Sequence, residues 1–313
     1  MKTLRDLGEC EVIRRLASTL PSRSDVRVGI GDDTAVVEVE GTEWDFLLTT
    51  DAVVEGTHFL PRTDPRLIGR KAVGRVLSDF AAMGGEPLWV LMDVVADGST
   101  PYRRLREVYD GARRLAGKYG MAIVGGDMTS GPCLELHAFG VGRVPRGAAV
   151  LRSGARPGDL VYVTGVLGGS RSGKHLEFEP RLQEGLWLRE AGWVSAMIDL
   201  SDGLAADLRH LLERSRVGAV LDVERVPVSA AARKARDGRS PLEHALCDGE
   251  DFELLFTVPA EKRGAFESSW AEAFRLPVTF VGRITSRRGK LDLPGVNGRT
   301  GRAPMRGYEH FRR

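Results

Sequence analysis

The chain has 313 residues, 42% of them hydrophobic and 28% charged, with a formal net charge of +2. Its length suits two domains better than one, and the composition is that of a soluble globular protein. Arginine is dispersed and the five tryptophans are scattered, which argues against a nucleic-acid partner, and no apolar run reaches membrane-spanning length.

Three cysteines (Cys10, Cys133 and Cys247) lie far apart, without metal-type spacing and in odd number. The first twenty residues lack an apolar signal core, so a reducing, cytoplasmic compartment is expected.

In chain order, Phe46–Thr50 reads as a strand that delivers Asp51. Pro65–Gly84 reads as a helix with an apolar stripe at Ile68, Ala72, Val76 and Phe80, ended by Gly84-Gly85. Leu88–Val95 is a continuous apolar strand. Tyr102–Tyr119 is an arginine-rich helix with Leu105, Val108, Ala112 and Leu115 on one face. Met121–Val124 is a strand ending at Gly125-Gly126-Asp127, and Leu134–Val144 alternates as a strand. The basic, Gly- and Pro-rich stretch Arg143–Pro157 marks a boundary, giving domains 1–147 and 148–313. In the second, Leu160–Thr164, Phe252–Val258 and Val278–Ile284 read as strands, and Gly203–Ser215 and Glu261–Phe274 as helices. The class is mixed α/β in two domains. The tail ends in Tyr308-Glu309-His310-Phe311 and is expected to dock.

Carboxylates recur where these elements meet turns: Asp32-Asp33, Asp51, Asp79, Asp127, Asp199, Asp202 and Glu250-Asp251. Most follow an apolar run and have Gly, Ser or Thr beside them, an arrangement that gathers hard oxygen ligands around divalent cations. Asp79 lies beside a buried stripe near a helix C-terminus, where the macrodipole disfavours an anion. Arg75, one turn back, or a metal would each neutralise it. Asp127 reads as a turn residue or as a nucleotide–Mg²⁺ seat. Asp199 and Asp202 flank Ser201 before a helix and read as caps or as a metal–phosphate seat, with capping favoured for Asp202 alone. Adjacent Asp32 and Asp33 repel each other unless a cation uses both.

The stretch Gly168-Gly169-Ser170-Arg171-Ser172-Gly173-Lys174-His175 imitates a phosphate-binding loop. His175 stands where the Mg²⁺-binding hydroxyl is required, and Leu176–Pro180 does not read as a helix, so the motif is rejected. His58 is a lone histidine without zinc partners, and no nucleophile elbow is present.

Taken together, eight segments resemble the thiamine-monophosphate kinases, in the superfamily of aminoimidazole-ribonucleotide synthetase and selenophosphate synthetase. They are Gly29–Ala35, Thr49–Asp51, Gly56–Phe59, Leu77–Gly84, Gly125–Thr129, Arg152–Ala155, Ile198–Leu204 and Gly249–Leu254. The resemblance implies transfer of the ATP γ-phosphoryl group to thiamine monophosphate, with several Mg²⁺ ions. It implies metal ligands at Asp33, Thr49, Thr50, Asp51, Asp79, Asp127, Asp199 and Asp202, and places Asp33, Asp79, Asp127 and Asp202 at the reacting centre. Tyr109, Gly126, Asp127, Arg152 and Ser201 would hold ATP. His58, Glu250, Asp251 and Tyr308 would face the acceptor. The implied fold is aminoimidazole-ribonucleotide synthetase-like, with the N-terminal domains pairing into a dimer across a shared sheet. Gly165–Met197 departs from the usual pattern on the acceptor side. A different acceptor and a non-catalytic nucleotide-binding role are the competing readings, and the intact carboxylates argue against the latter.

Overall fold

The structure is a computed structural model and describes residues 2–294, 307, 308 and 311. The chain opens with two short helices, α1 (Leu4–Leu7) and α2 (Glu9–Ala17), the first closed by a capping box between Thr3 and Asp6. Strands β1 (Val26–Val28), β2 (Ala35–Glu38) and β3 (Trp44–Val54) follow, then helix α3 (Pro65–Ala82) and strand β4 (Glu86–Ala96). Helix α4 (Tyr102–Lys118) leads to β5 (Ala122–Gly125), β6 (Met128–Ser130) and β7 (Glu135–Pro145). These seven strands form one sheet in the order β1-β2-β3-β7-β4-β5, with β6 also paired to β4.

Strand β3 runs past the expected Phe46–Thr50. Its ladder with β7 is unbroken from Trp44 opposite Pro145 to Val54 opposite Glu135, so Asp51 lies within the strand rather than beyond its end. A local apolar pattern cannot reveal this, because pairing with β7 holds the polar residues in the strand.

Helix α3 starts at Pro65, with the Asp64 side chain accepting from the Arg66 amide. Most of its length is buried, because it lies between the first sheet, helix α4 and the second half of the chain. Two glycines allow its contact with α4. A Cβ at Gly69 would meet the Val108 carbonyl oxygen at 1.9 Å, and one at Gly111 would meet the Arg66 carbonyl oxygen at 1.8 Å.

The second sheet contains β8 (Leu160–Thr164), β9 (Ala196–Asp199), β10 (Gly218–Leu221), β11 (Leu254–Val258), β12 (Val278–Thr285) and β13 (Leu291–Asp292), in the order β13-β10-β12-β8-β11-β9. Between β8 and β9 run a single helical turn, α5 (Lys174–Glu177), and α6 (Leu182–Glu190). The turn at α5 corrects the expectation that nothing helical follows Lys174. Helix α7 (Leu204–Ser215) carries Leu204, Leu208, Leu211 and Leu212 into its own buried cluster. Helix α8 (Ala230–Lys234) and helix α9 (Pro241–Cys247) precede β11, and α10 (Arg263–Ala273) precedes β12. One continuous apolar core joins α3 and the first sheet to Tyr162, Leu188, Met197 and Phe256 of the second half. Among the described residues, no helix is long and apolar enough to cross a membrane.

Candidate active site

Helix α3 presents Lys71, Arg75 and Asp79 at successive intervals of four residues, a spacing that stacks side chains along one face. Strand β3 presents Thr49 and Asp51 on one face and Thr50 on the other, by its period of two. The Thr49 hydroxyl donates to Asp79 at 2.5 Å. Thr50 is exposed and points away from that group.

Arg75 does not turn to Asp79. Its guanidinium donates to Asp51 at 2.5 Å and lies 3.7 Å from Glu250. Asp79 has no ion pair among the described residues. Instead its carboxylate lies with those of Asp33 and Asp199, one oxygen of each within 4.8 Å of the others. The elements that bring them together are the β1–β2 turn, the C-terminal part of α3 and the end of β9.

The electrostatics follow from that proximity. Asp79 is pushed well above the usual carboxylate range by burial, then by repulsion from Asp51, Asp199 and Asp33. Asp199 is raised to about 7 by burial and by Asp33, although Ser78 donates to it at 2.6 Å. Arg152 clamps Asp33 through two bonds of 3.1 and 2.8 Å. Asp32 is raised to about 6, by burial first and by Asp33 second.

Beside this triad, one ligand atom each of Asp202, Asp207 and His210 also lies within 4.8 Å of the others. Neither Asp199 nor Asp202 caps α7. The Asp207 carboxylate accepts the Asp202 and Gly203 amides, both at 3.0 Å, and does that work from within the first turn. Asp207 was missed because one more aspartate on a helix carries no signal of its own. Burial and the nearby Asp202 push its pKa well up.

Tyr109, Gly126 and Asp127 form a separate group along β4. The Tyr109 hydroxyl donates to the Met92 carbonyl at 3.4 Å, and the Asp127 amide donates to Asp93 at 2.8 Å. Gly126 is required there, since a Cβ would meet the Met92 carbonyl oxygen at 2.0 Å. Asp127 is exposed and makes no hydrogen bond or ion pair to the triad among the described residues. Ser201 accepts the Glu250 amide through its carbonyl at 2.7 Å.

Among the residues expected to face the acceptor, His58 Nδ1 accepts the Val54 amide at 3.0 Å, and the ring is largely buried. Glu250 and Asp251, adjacent in sequence, do different things. Glu250 faces Lys71, His175, Arg171 and Arg75. Burial opposes its charge, but His175 and the Lys71 ammonium hold its pKa down to about 2. Asp251 is committed to the loop before α5: it accepts the Gly168 amide at 3.0 and 2.9 Å and the Ser170 hydroxyl. Burial raises it to about 6. Tyr308 packs under Arg171, whose guanidinium carbon is 5.3 Å from the ring centre, and its amide donates to the Asp202 carbonyl at 3.0 Å. Of the rest of the expected docked tail, Glu309 and His310 lie outside the described residues, and Phe311 is exposed.

The imitation phosphate loop binds carboxylates rather than offering amides to a phosphate. Gly168 and Gly169 donate to Asp251 and Asp248, and Lys174 donates to Glu253 at 2.8 Å and to the Val166 carbonyl at 2.9 Å.

Residues 31–144 match the family model for the N-terminal domain of AIR synthase related proteins, and residues 156–293 match that for the C-terminal domain. The chain therefore belongs to the AIR synthase related family. Within it, the chain is 36% identical to the thiamine-monophosphate kinase of Salmonella typhimurium, over 97% of this chain and 98% of that one. Among solved structures it is similar to AaThiL complexed with AMPPCP and TMP, with 32% identity, a TM-score of 0.81 and 99% of each chain covered. It is also similar to the thiamine-monophosphate kinase from Stenotrophomonas maltophilia K279a, with 33% identity, a TM-score of 0.75 and coverage of 91% of this chain and 95% of that one.

Proposed function

We propose that this protein is a thiamine-monophosphate kinase, transferring the γ-phosphoryl group of ATP to thiamine monophosphate to give thiamine diphosphate. The observation that carries the reading is the Asp33–Asp79–Asp199 triad, set in a chain similar over its whole length to kinases of that name.

The triad's donors fit Mg²⁺. They are all hard oxygens, two of the three carboxylates are forced up in pKa by burial and then by their neighbours, and Asp79 has no protein cation paired to it among the described residues. Asp33, Asp79 and Asp199 would hold such ions with Thr49 and Asp51 beside them, and Asp202, Asp127 and Thr50 would serve further positions. Bound Mg²⁺ would supply charge neutralisation between two polyanionic substrates. Arg152 orients Asp33 and would meet an ATP phosphate together with Ser201. Tyr109 and Gly126 would hold the remainder of the nucleotide. His58, Glu250 and Tyr308 would surround the acceptor.

The acceptor is an ionised phosphate oxygen, which needs alignment more than a general base. Transfer is therefore direct and in line, with no phosphorylated enzyme. ATP made chiral at the γ-phosphorus should give inverted product, and net retention would contradict this reading.

In this reading residues 1–147 bind ATP and Mg²⁺ and dimerise, and 148–313 complete the site with Asp199 and the acceptor side. The dimer is supported by an exposed apolar hollow on the first sheet, lined by Trp89, Leu91, Val124, Phe139 and Val141. Three cysteines, far apart in sequence and odd in number, fit a reducing cytoplasm. The test of the function is ADP release over a panel of phosphorylated acceptors, with and without a chelator. Thiamine monophosphate should support turnover that the chelator abolishes, and turnover with another acceptor alone would overturn the assignment.

A further inference from the structure

Lys71 has no exposed surface, yet it is a charged side chain in the middle of α3. Its ammonium donates to the His58 carbonyl at 2.8 Å and to the Glu250 carboxylate, and lies 2.8 Å from Nδ1 of His175. Three partners within hydrogen-bond distance are the full complement of an ammonium group.

The three partners come from three separate pieces of chain. His58 lies in the turn after β3, His175 is in the single turn of α5, and Glu250 lies between β11 and the end of α9. Two of these pieces belong to the second half of the chain, and Lys71 belongs to the first. Glu250 is also held in the left-handed region at φ 56°, where a side chain is disfavoured. Its backbone is tied to Ser201, so the direction of its carboxylate depends on what receives it. Arg171 and Arg75 are farther off, at 3.6 and 3.7 Å, and Arg75 is already committed to Asp51.

We propose that Lys71 is a positioning residue for the acceptor: it fixes the Glu250 carboxylate, the His58 turn and His175 relative to one another, and so sets the shape of the acceptor end across the two halves. The proposal rests on the kinase reading given above. A buried ion pair is poor evidence of stabilisation, because desolvation offsets most of the attraction. Burial lowers the pKa of Lys71 to about 8, so the ammonium depends on these partners for its charge. Every group it holds faces the acceptor side, and none is in the Asp33–Asp79–Asp199 triad.

The test uses Lys71→Met, which keeps the unbranched stem, one atom shorter, and removes the charge. Steady-state kinetics with thiamine monophosphate, calorimetry with AMPPCP and thermal melting are compared with wild type. The KM for thiamine monophosphate should rise on the order of tenfold or more, while AMPPCP affinity stays within about twofold. Glu250→Gln should raise KM similarly, and the double variant should be no worse than the more impaired single variant, because both act through one carboxylate. An unchanged KM in a folded Lys71→Met protein would overturn the proposal. So would equal losses of acceptor and nucleotide affinity, or effects of the two substitutions that multiply. If Lys71→Met does not melt cooperatively, His175→Ala takes its place, and an unchanged KM there overturns the proposal equally. A wild-type protein inactive on thiamine monophosphate would show instead that the kinase reading is wrong, and the proposal would fall with it.

Discussion

At the scale of single residues, Asp79 and Asp199 of the triad carry a cost in burying their charge that the proposed cation between them would offset. Asp79 shows this most clearly, being surrounded by Asp51, Asp199 and Asp33 with one hydroxyl donating to it. Asp79→Asn should therefore lower kcat on the order of a thousandfold or more, since a lost bridging ligand costs several kcal/mol of transition-state stabilisation. The same substitution should leave the metal-free protein folded and at least as thermostable as wild type, because it removes a repelled charge. Turnover and melting temperature check the two halves of that expectation, and near-normal turnover would end the central role of this residue.

At the scale of elements, α3 and the loop before α5 show how a local feature is put to use. The close approach of α3 to α4 runs through Gly69 and Gly111. Gly69→Ala should cost about 3 kcal/mol or more, because a Cβ set 1.9 Å from a carbonyl oxygen forces the helices apart. Denaturant titration measures it. The loop and α5 deliver Lys174 to Glu253, a buried carboxylate that also accepts from Thr164 and from Arg181. Lys174→Ala should leave AMPPCP affinity nearly unchanged and lower stability by about 1–3 kcal/mol, since it leaves a buried acceptor undersupplied. A collapse of nucleotide affinity would restore the phosphate-loop reading. Most of the family-like segments were legible as short strings because they need a turn or a glycine at a set place, although Thr49–Asp51 lies within β3 and has neither. The course of β3 past Thr50 was not, because its last residues are held by a strand more than eighty residues away.

At the scale of the whole molecule, two properties follow from how the halves and surfaces are arranged. Asp199 is raised to about 7, and Asp32, Asp202 and Asp251 to about 6, all from an ordinary value near 3.8. Between about pH 4 and 7 the folded protein thus binds more protons than the unfolded chain. Stability of the metal-free protein should fall as pH rises through that window, with Asp79 and Asp207, also raised, adding to the fall, and saturating Mg²⁺ should flatten the slope. Melting curves from pH 4.5 to 8 with and without the ion check this, and rising metal-free stability would contradict it. Glu250, held down to about 2 from an ordinary 4.5, contributes in the opposite sense below about pH 5, at the acid edge of the window. The second is the dimer proposed above. Leu91 sits directly opposite Phe139 and Trp89 opposite Val141, all on the outward face of the first sheet. Leu91→Asp should shift the protein from dimer to monomer in light scattering, because it places a charge within the apolar hollow.

The sequence by itself determined the helical and strand periods, the turn-borne carboxylates and the order of eight segments that together point to one family. These are local properties, set by backbone conformation at neighbouring residues. Only the tertiary structure decided which groups meet. Arg75 stands one turn from Asp79 but turns to Asp51 on β3. Asp251 is bound by Gly168 and Ser170, more than eighty residues earlier, while adjacent Glu250 points the other way to Lys71. Lys71 itself carried no signal, since a lysine in a helix is ordinarily solvated. Its partners lie 13, 104 and 179 residues away, and the packing of α3 between the two halves brings them to one ammonium group.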